Sequence, residues 1–142
     1  MAFLYKAFIR KNSPELRAKL EDLGYTNGAW DDGVLTEDAN VVISECAGVL
    51  QYAQTCFEGM KAFPTKDGGV SIFRPDRNAA RFANSMKGLY CPAFPEEMYI
   101  KASAEFIKRN AELGYVPEYD KAWEEDNYAT AKAVYMRPFM NT

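Results

Sequence analysis

The chain has 142 residues, 48% of them hydrophobic and 26% charged, with a formal net charge of -3; this is the make-up of a single globular domain with room for a sizeable core. Nothing in that balance offers a basic surface for nucleic acid, and no apolar run approaches the ~20 residues of a membrane helix. Histidine is absent and the three cysteines are not closely spaced, which removes the commonest nitrogen and sulfur ligands of zinc and copper and the usual base of a Ser-His or Cys-His triad.

The opening segment "MAFLYKAFIRKNSPE" reaches Arg10 and Lys11 after a very short apolar run and has no small-residue cleavage site, so a cytoplasmic protein is expected. In "NSPELRAKLEDLG" a short helix is predicted: Ser13 caps it, Pro14 suits its first position, Leu16, Leu20 and Leu23 recur at helical spacing, and Gly24 ends it. Further on, Asp32-Gly33 signals a turn and Val41-Val42-Ile43 a short strand. Cys46, Cys56 and Cys91 form an odd set without CxxC spacing, read as reduced, buried thiols.

"QTCFEGMKAF" poses a question. Phe57, Met60 and Phe63 are apolar enough for a buried strand, yet Glu58-Gly59 sits in its middle. A glycine inside a strand often marks a place where another group approaches the backbone. Together with "GVSIF", this segment flanks "PTKDG", where Asp67, Gly68 and Gly69 predict a hairpin.

A helix follows over "RPDRNAARFANSMKGLY", with Pro75 and Asp76 at its start and an apolar stripe of Ala79, Phe82, Ala83 and Met86 before Gly88. A longer helix is predicted in "FPEEMYIKASAEFIKRNAELG", opened by Pro95, Glu96 and Glu97, with Tyr99, Ala102, Phe106 and Leu113 among its apolar positions and Gly114 as its stop. "YVPEYDKAWEEDN" is acidic and aperiodic and reads as an exposed loop. The last segment, "AKAVYMRPFMNT", reads as one strand, with Val134, Met136 and Met140 on one face and Tyr135, Arg137 and Phe139 on the other. Its ending at Asn141-Thr142, without a polar tail, suggests a piece of something longer. The elements together describe a mixed alpha and beta domain.

Recognition of phosphate or carboxylate favours guanidinium groups at ordered positions, because their paired donors match two oxygens. Arg74, Arg81 and Arg137 qualify. Position alone favours a solvated helix face for Arg81, whereas Arg137, beside Pro138 in an apolar strand, is less expected as mere surface. Tyr52, Phe57 and Gly59 read either as a pocket wall or as packing at a sheet edge.

Three blocks in order, "LQYAQTCFEGMKAF", "FRPDRNAARFANS" and "YMRPF", resemble the amino-terminal small domain of branched-chain amino acid aminotransferases, fold type IV enzymes that use pyridoxal phosphate. The likeness runs from about Trp30 to Thr142 and is nearest to the larger-subunit branch that includes the mitochondrial type; residues 1-29 read as an extension outside it. It implies an α+β fold, a mainly antiparallel sheet flanked by helices, with 1-142 forming the small domain. It further implies that Arg81 holds the cofactor phosphate, that Tyr52 and Phe57 wall the pocket for branched side chains, and that Gly59 lines the substrate cavity. Tyr135 and Arg137 correspond to the family's Tyr-x-Arg pair, whose arginine also receives the side-chain carboxylate of glutamate.

The family's Schiff-base lysine lies in a large domain, so no lysine here is nominated as catalytic and no activity is expected of these residues alone. A homodimer acting on amino acids and 2-oxo acids is the expected setting. Glu58 reads as a structural acid, and Asn141 departs from the glycine more usual in the family before threonine. Related readings are a D-amino acid aminotransferase or aminodeoxychorismate lyase, which share the fold, and a non-catalytic binding domain.

Overall fold

In chain order the elements are β1 (Leu4–Lys6), β2 (Val34–Thr36), α1 (Gly48–Tyr52), β3 (Thr55–Phe57), β4 (Met60–Pro64), β5 (Val70–Ile72), α2 (Pro75–Gly88), α3 (Glu96–Glu112), a 3-10 turn (Lys121–Glu124), β6 (Val134–Met136) and β7 (Phe139–Asn141). They come from a computed structural model that describes residues 4–6 and 30–142. The helix expected over residues 13–24 lies outside the described residues.

The expected hairpin forms. β4 and β5 pair antiparallel with Ala62 opposite Ile72 and Pro64 opposite Val70. Gly68 takes φ +81°, a conformation open to glycine at little cost. The Asp67 carboxylate accepts from the Thr65 hydroxyl and from the Gly69 amide, closing the turn. β6 pairs with the other edge of β4, giving the order β5-β4-β6; β1-β2 and β3-β7 form two further antiparallel pairs. The α+β architecture with antiparallel sheets is thus as expected.

Two segments read as single strands are each broken in two. β3 and β4 are interrupted at Glu58-Gly59, and β6 and β7 at Arg137-Pro138. The breaks face each other: Phe57 pairs with Phe139 on one side and Met60 with Met136 on the other, so one register runs through both. Pro138 has no N–H to give a ladder, and its carbonyl accepts from the Glu58 amide at 2.8 Å. Because the register survives the break, the alternation does too. Met136 and Met140 are buried, while Tyr135, Arg137 and Phe139 are exposed, as their spacing predicts.

The predicted stripe of α2 is the one that packs: Ala79, Phe82, Ala83 and Met86 are buried. α3 covers them with Tyr99, Ser103, Ile107 and Asn110. Phe82 meets Tyr99 with centroids 5.6 Å apart, and the Trp30 ring stands edge-on to Phe94 at 5.0 Å. Met60, Ala62, Met136 and Met140 join this core from the strands, and burying a side chain the size of Phe82 contributes about 1.5–3 kcal/mol. The polar groups in the core are satisfied locally: the Ser103 hydroxyl donates to the Tyr99 carbonyl at 2.8 Å, and the Asn110 amide to the Phe106 carbonyl at 2.7 Å.

Four expectations are corrected. Val41-Val42-Ile43 forms no strand and Val42 is 99% exposed, because β propensity makes no strand without a neighbour to pair; the strand of this region is β2, partnered by β1. Leu113 is no apolar anchor of α3, since it caps the helix and is exposed just before Gly114 turns to φ +75°. The acidic loop is not wholly exposed: a 3-10 turn, in which Asp120 accepts from the Ala122 amide, buries Trp123 against the edge of Tyr119. Finally, the thiols are free but not buried, Cys46 being exposed and Cys56 and Cys91 half-buried. No helix among the described residues is long and apolar enough to cross a membrane.

Candidate functional site

The break in the ribbon places Glu58 where a side chain can leave the sheet and turn toward α2. Its carboxylate is 5% exposed, and burying a charge this deeply is costly unless it is paired and hydrogen-bonded. Asn78 and Arg81, one turn apart on the same side of α2, supply the partners. Arg81 donates from Nε to Oε1 at 2.7 Å and from Nη2 to Oε2 at 2.5 Å, and Asn78 Nδ2 donates to Oε2 at 3.0 Å. The same Asn78 amide reaches the Gly59 carbonyl at 3.3 Å. Hydrogen bonding from Arg81 holds the Glu58 carboxyl below its ordinary range although burial pushes the other way, and Glu58 in turn raises the Arg81 guanidinium above its usual value. The Arg81 side chain is nonetheless 66% exposed, so its outer face remains open.

The residue before Glu58 carries the second cation. Arg137 lies with its guanidinium carbon 4.4 Å from the centre of the Phe57 ring and 5.8 Å from that of Tyr135, within the range of cation–π attraction. The residue after Glu58 answers the question raised by the sequence: the group that comes close to the Gly59 backbone is the Tyr135 phenol. A Cβ built on Gly59 would stand 2.5 Å from Tyr135 Oη.

Gly59 and Tyr135 also line an open hollow of about 370 Å³ with Met60, Lys61, Phe63, Phe73 and Asn78. Lys61, Phe63 and Tyr135 belong to the outward face of the three-stranded sheet, whose other face, through Met60, Ala62 and Met136, is packed in the core. The helices therefore back the sheet and the hollow fronts it.

Of the six nominated residues, five converge on the ribbon break: Phe57 and Gly59 flank Glu58, Arg81 pairs with it, and Tyr135 and Arg137 stand opposite. Tyr52, the last residue of α1, is 86% exposed, and among the described residues no hydrogen bond or ring contact joins it to the others. Arg74, the remaining candidate cation, is engaged on the surface, donating from Nε and Nη2 to both oxygens of Asp76 at 2.9 and 2.7 Å. That pairing holds the Asp76 carboxyl down at about 2.

Sequence reasoning missed Asn78, Phe63 and Phe73. For Asn78 the signal was its place three residues before Arg81 on a helix. Phe63 follows from alternation on β4, which sends Lys61 and Phe63 outward when Met60 and Ala62 are buried. Phe73 sits at a strand-to-helix junction and carries no pattern that would have marked it.

No family model matches the chain. It is 36% identical over 117 residues to the branched-chain-amino-acid aminotransferase of Haemophilus influenzae, an alignment covering 82% of the chain and 31% of that protein. The enzyme of the same name from Helicobacter pylori is 37% identical over 116 residues, with 82% and 31% covered, and the probable branched-chain-amino-acid aminotransferase of Streptomyces coelicolor 34% over 117 residues, with 82% and 29% covered. The chain thus spans about a third of the length of these curated relatives. It is a homologue of the branched-chain-amino-acid aminotransferases, as the resemblance of its own motifs implies.

Proposed function

We propose that this chain is the small domain of a pyridoxal-phosphate-dependent branched-chain aminotransferase, which moves the amino group of leucine, isoleucine or valine to 2-oxoglutarate. The observation that carries the reading is Arg137 stacked 4.4 Å over Phe57. An apolar ring and a carboxylate-binding cation share one wall, and an enzyme that accepts both branched aliphatic amino acids and glutamate needs both surfaces. In this reading Phe57 supplies the apolar surface for the branched side chain. Arg137, with Tyr135, receives the second carboxylate of glutamate, and Gly59 lets the Tyr135 phenol seat against the backbone beside the hollow.

The donor set fits the cofactor as well. Arg81 presents an exposed guanidinium whose bonds to Glu58 engage Nε and one side of Nη2, leaving donors for a phosphate. When bound, pyridoxal phosphate supplies the electron sink for amino transfer, while the protein supplies positioning and proton transfer. The lysine that holds the cofactor belongs, in this reading, to a large domain not among these residues. A cytoplasmic homodimer is the proposed setting. The names of the relatives favour the branched-chain reaction over the lyase and D-amino acid alternatives.

A chimera tests the reading. This chain replaces the matching segment of the Haemophilus influenzae relative, and amino transfer from leucine to 2-oxoglutarate is measured; activity is expected. A folded chimera that retains the cofactor but leaves all three branched substrates untouched overturns the assignment.

A further inference from the structure

We propose that Glu58 is a positioning residue that decides which edge of the Arg81 guanidinium is open to an anion; this rests on the reading of Arg81 as a phosphate-holding residue. A guanidinium has two edges with paired, parallel N–H groups: a side edge made by Nε and Nη2, and an end edge made by Nη1 and Nη2. Glu58 fills the side edge with both of its oxygens, at 2.7 and 2.5 Å. Among the described residues, nothing bonds to the end edge.

The carboxylate is itself fixed. It is buried, Asn78 donates to it at 3.0 Å, and its own amide is tied to the Pro138 carbonyl at 2.8 Å. An arginine 66% exposed on a helix would otherwise sample many rotamers. Held by Glu58, it keeps its end edge turned outward, with two donors spaced for two oxygens of a phosphate group. An anion that instead stripped Arg81 from the side edge would leave a buried carboxylate with Asn78 as its remaining side-chain donor, a costly exchange. The end edge is therefore the seat, and Glu58 stays in place when the anion arrives.

The test uses the whole chain, isotopically labelled, with inorganic phosphate as probe and the arginine side-chain N–H resonances as readout. Before phosphate is added, the Arg81 Nε–H signal should be displaced from the free-arginine position and exchange slowly. Phosphate should then shift the Nη signals of Arg81 and leave Nε–H where it is. In Glu58→Ala, with backbone amide signals showing an intact fold, the Nε–H displacement should be lost. An unchanged Nε–H signal in that variant overturns the positioning role. So does phosphate that moves Nε–H to the free position in the wild type, which would make Glu58 a competitor of the anion while leaving Arg81 as its site. Phosphate that perturbs no Arg81 signal removes the reading of Arg81, and the proposal with it. Should the variant fail to fold, the wild-type titration alone decides.

Discussion

Gly59 and Tyr135 are fitted to one another across the ribbon: the phenol occupies the space a side chain on the glycine would need, 2.5 Å from the site of its Cβ. Gly59→Ala must therefore push the Tyr135 ring outward. Overpacking of this kind costs about 1–3 kcal/mol, and a lowered thermal midpoint is expected. Removing the hydroxyl in Gly59→Ala/Tyr135→Phe should recover part of the loss, since ring carbons at 3.2 and 3.3 Å still crowd the position. A double variant no more stable than the sum of the two single effects predicts would show that the two residues are not coupled.

The stability of the backing layer should rest on Met86, which is fully buried in the core cluster and whose sulfur accepts from the Phe94 amide at 3.4 Å. Met86→Ala is expected to cost about 2–5 kcal/mol. Val42→Ala, at a position 99% exposed, should stay within about 0.5 kcal/mol of the parent. Denaturant titration of both variants checks the contrast; comparable losses would contradict the packing described.

Acid should expose the Glu58 pairing. Its carboxyl lies below the ordinary value of 4.5 in the folded chain, chiefly through Arg81. A group depressed on folding contributes stability above its unfolded value and loses it as pH falls through the folded one. The stability gap between the wild type and Glu58→Gln should therefore be level from about pH 5 to 8 and shrink as pH falls below about 4.5. Asp76, held at about 2 by Arg74, is the same in both proteins and drops out of the gap. Melts at stepped pH provide the check, and a gap unchanged into strong acid would show that the carboxylate form of Glu58 is not what stabilises the fold.

Much of this arrangement is legible in the chain because its signals are local. Asp67-Gly68-Gly69 announces the hairpin, Pro75-Asp76 and Pro95-Glu96-Glu97 announce helix starts, and Gly114 a helix stop. The alternation around Tyr135 and Arg137 names the outward face even where the strand itself is broken. What is not legible depends on contacts between distant segments. The breaks at Glu58-Gly59 and Arg137-Pro138 coincide only once β3-β7 and β4-β6 are paired. The role of Glu58 as the common partner of Asn78 and Arg81 joins positions 20 and 23 residues apart. Val41-Val42-Ile43 fails for the same reason in reverse: its propensity is local, and among the described residues no neighbouring strand meets it.

The two cations should separate by function. In the active chimera, and on the proposed reading of the two arginines, Arg81→Ala is expected to weaken cofactor retention, seen as loss of bound pyridoxal phosphate on gel filtration, because it would remove the phosphate's charged partner. On the same reading, Arg137→Ala would leave that partner intact and remove a charged donor facing the substrate side chain. A charge-assisted hydrogen bond is worth about 1.5–3 kcal/mol, which corresponds to roughly a 10- to 150-fold loss in kcat/KM for glutamate. Leucine has no second carboxylate to lose, so its kcat/KM should fall by only the smaller amount due to altered packing over Phe57. Parallel assays with the two amino donors give the ratio directly. Equal losses for both would mean that Arg137 serves the fold of the wall and not the recognition of the acidic substrate.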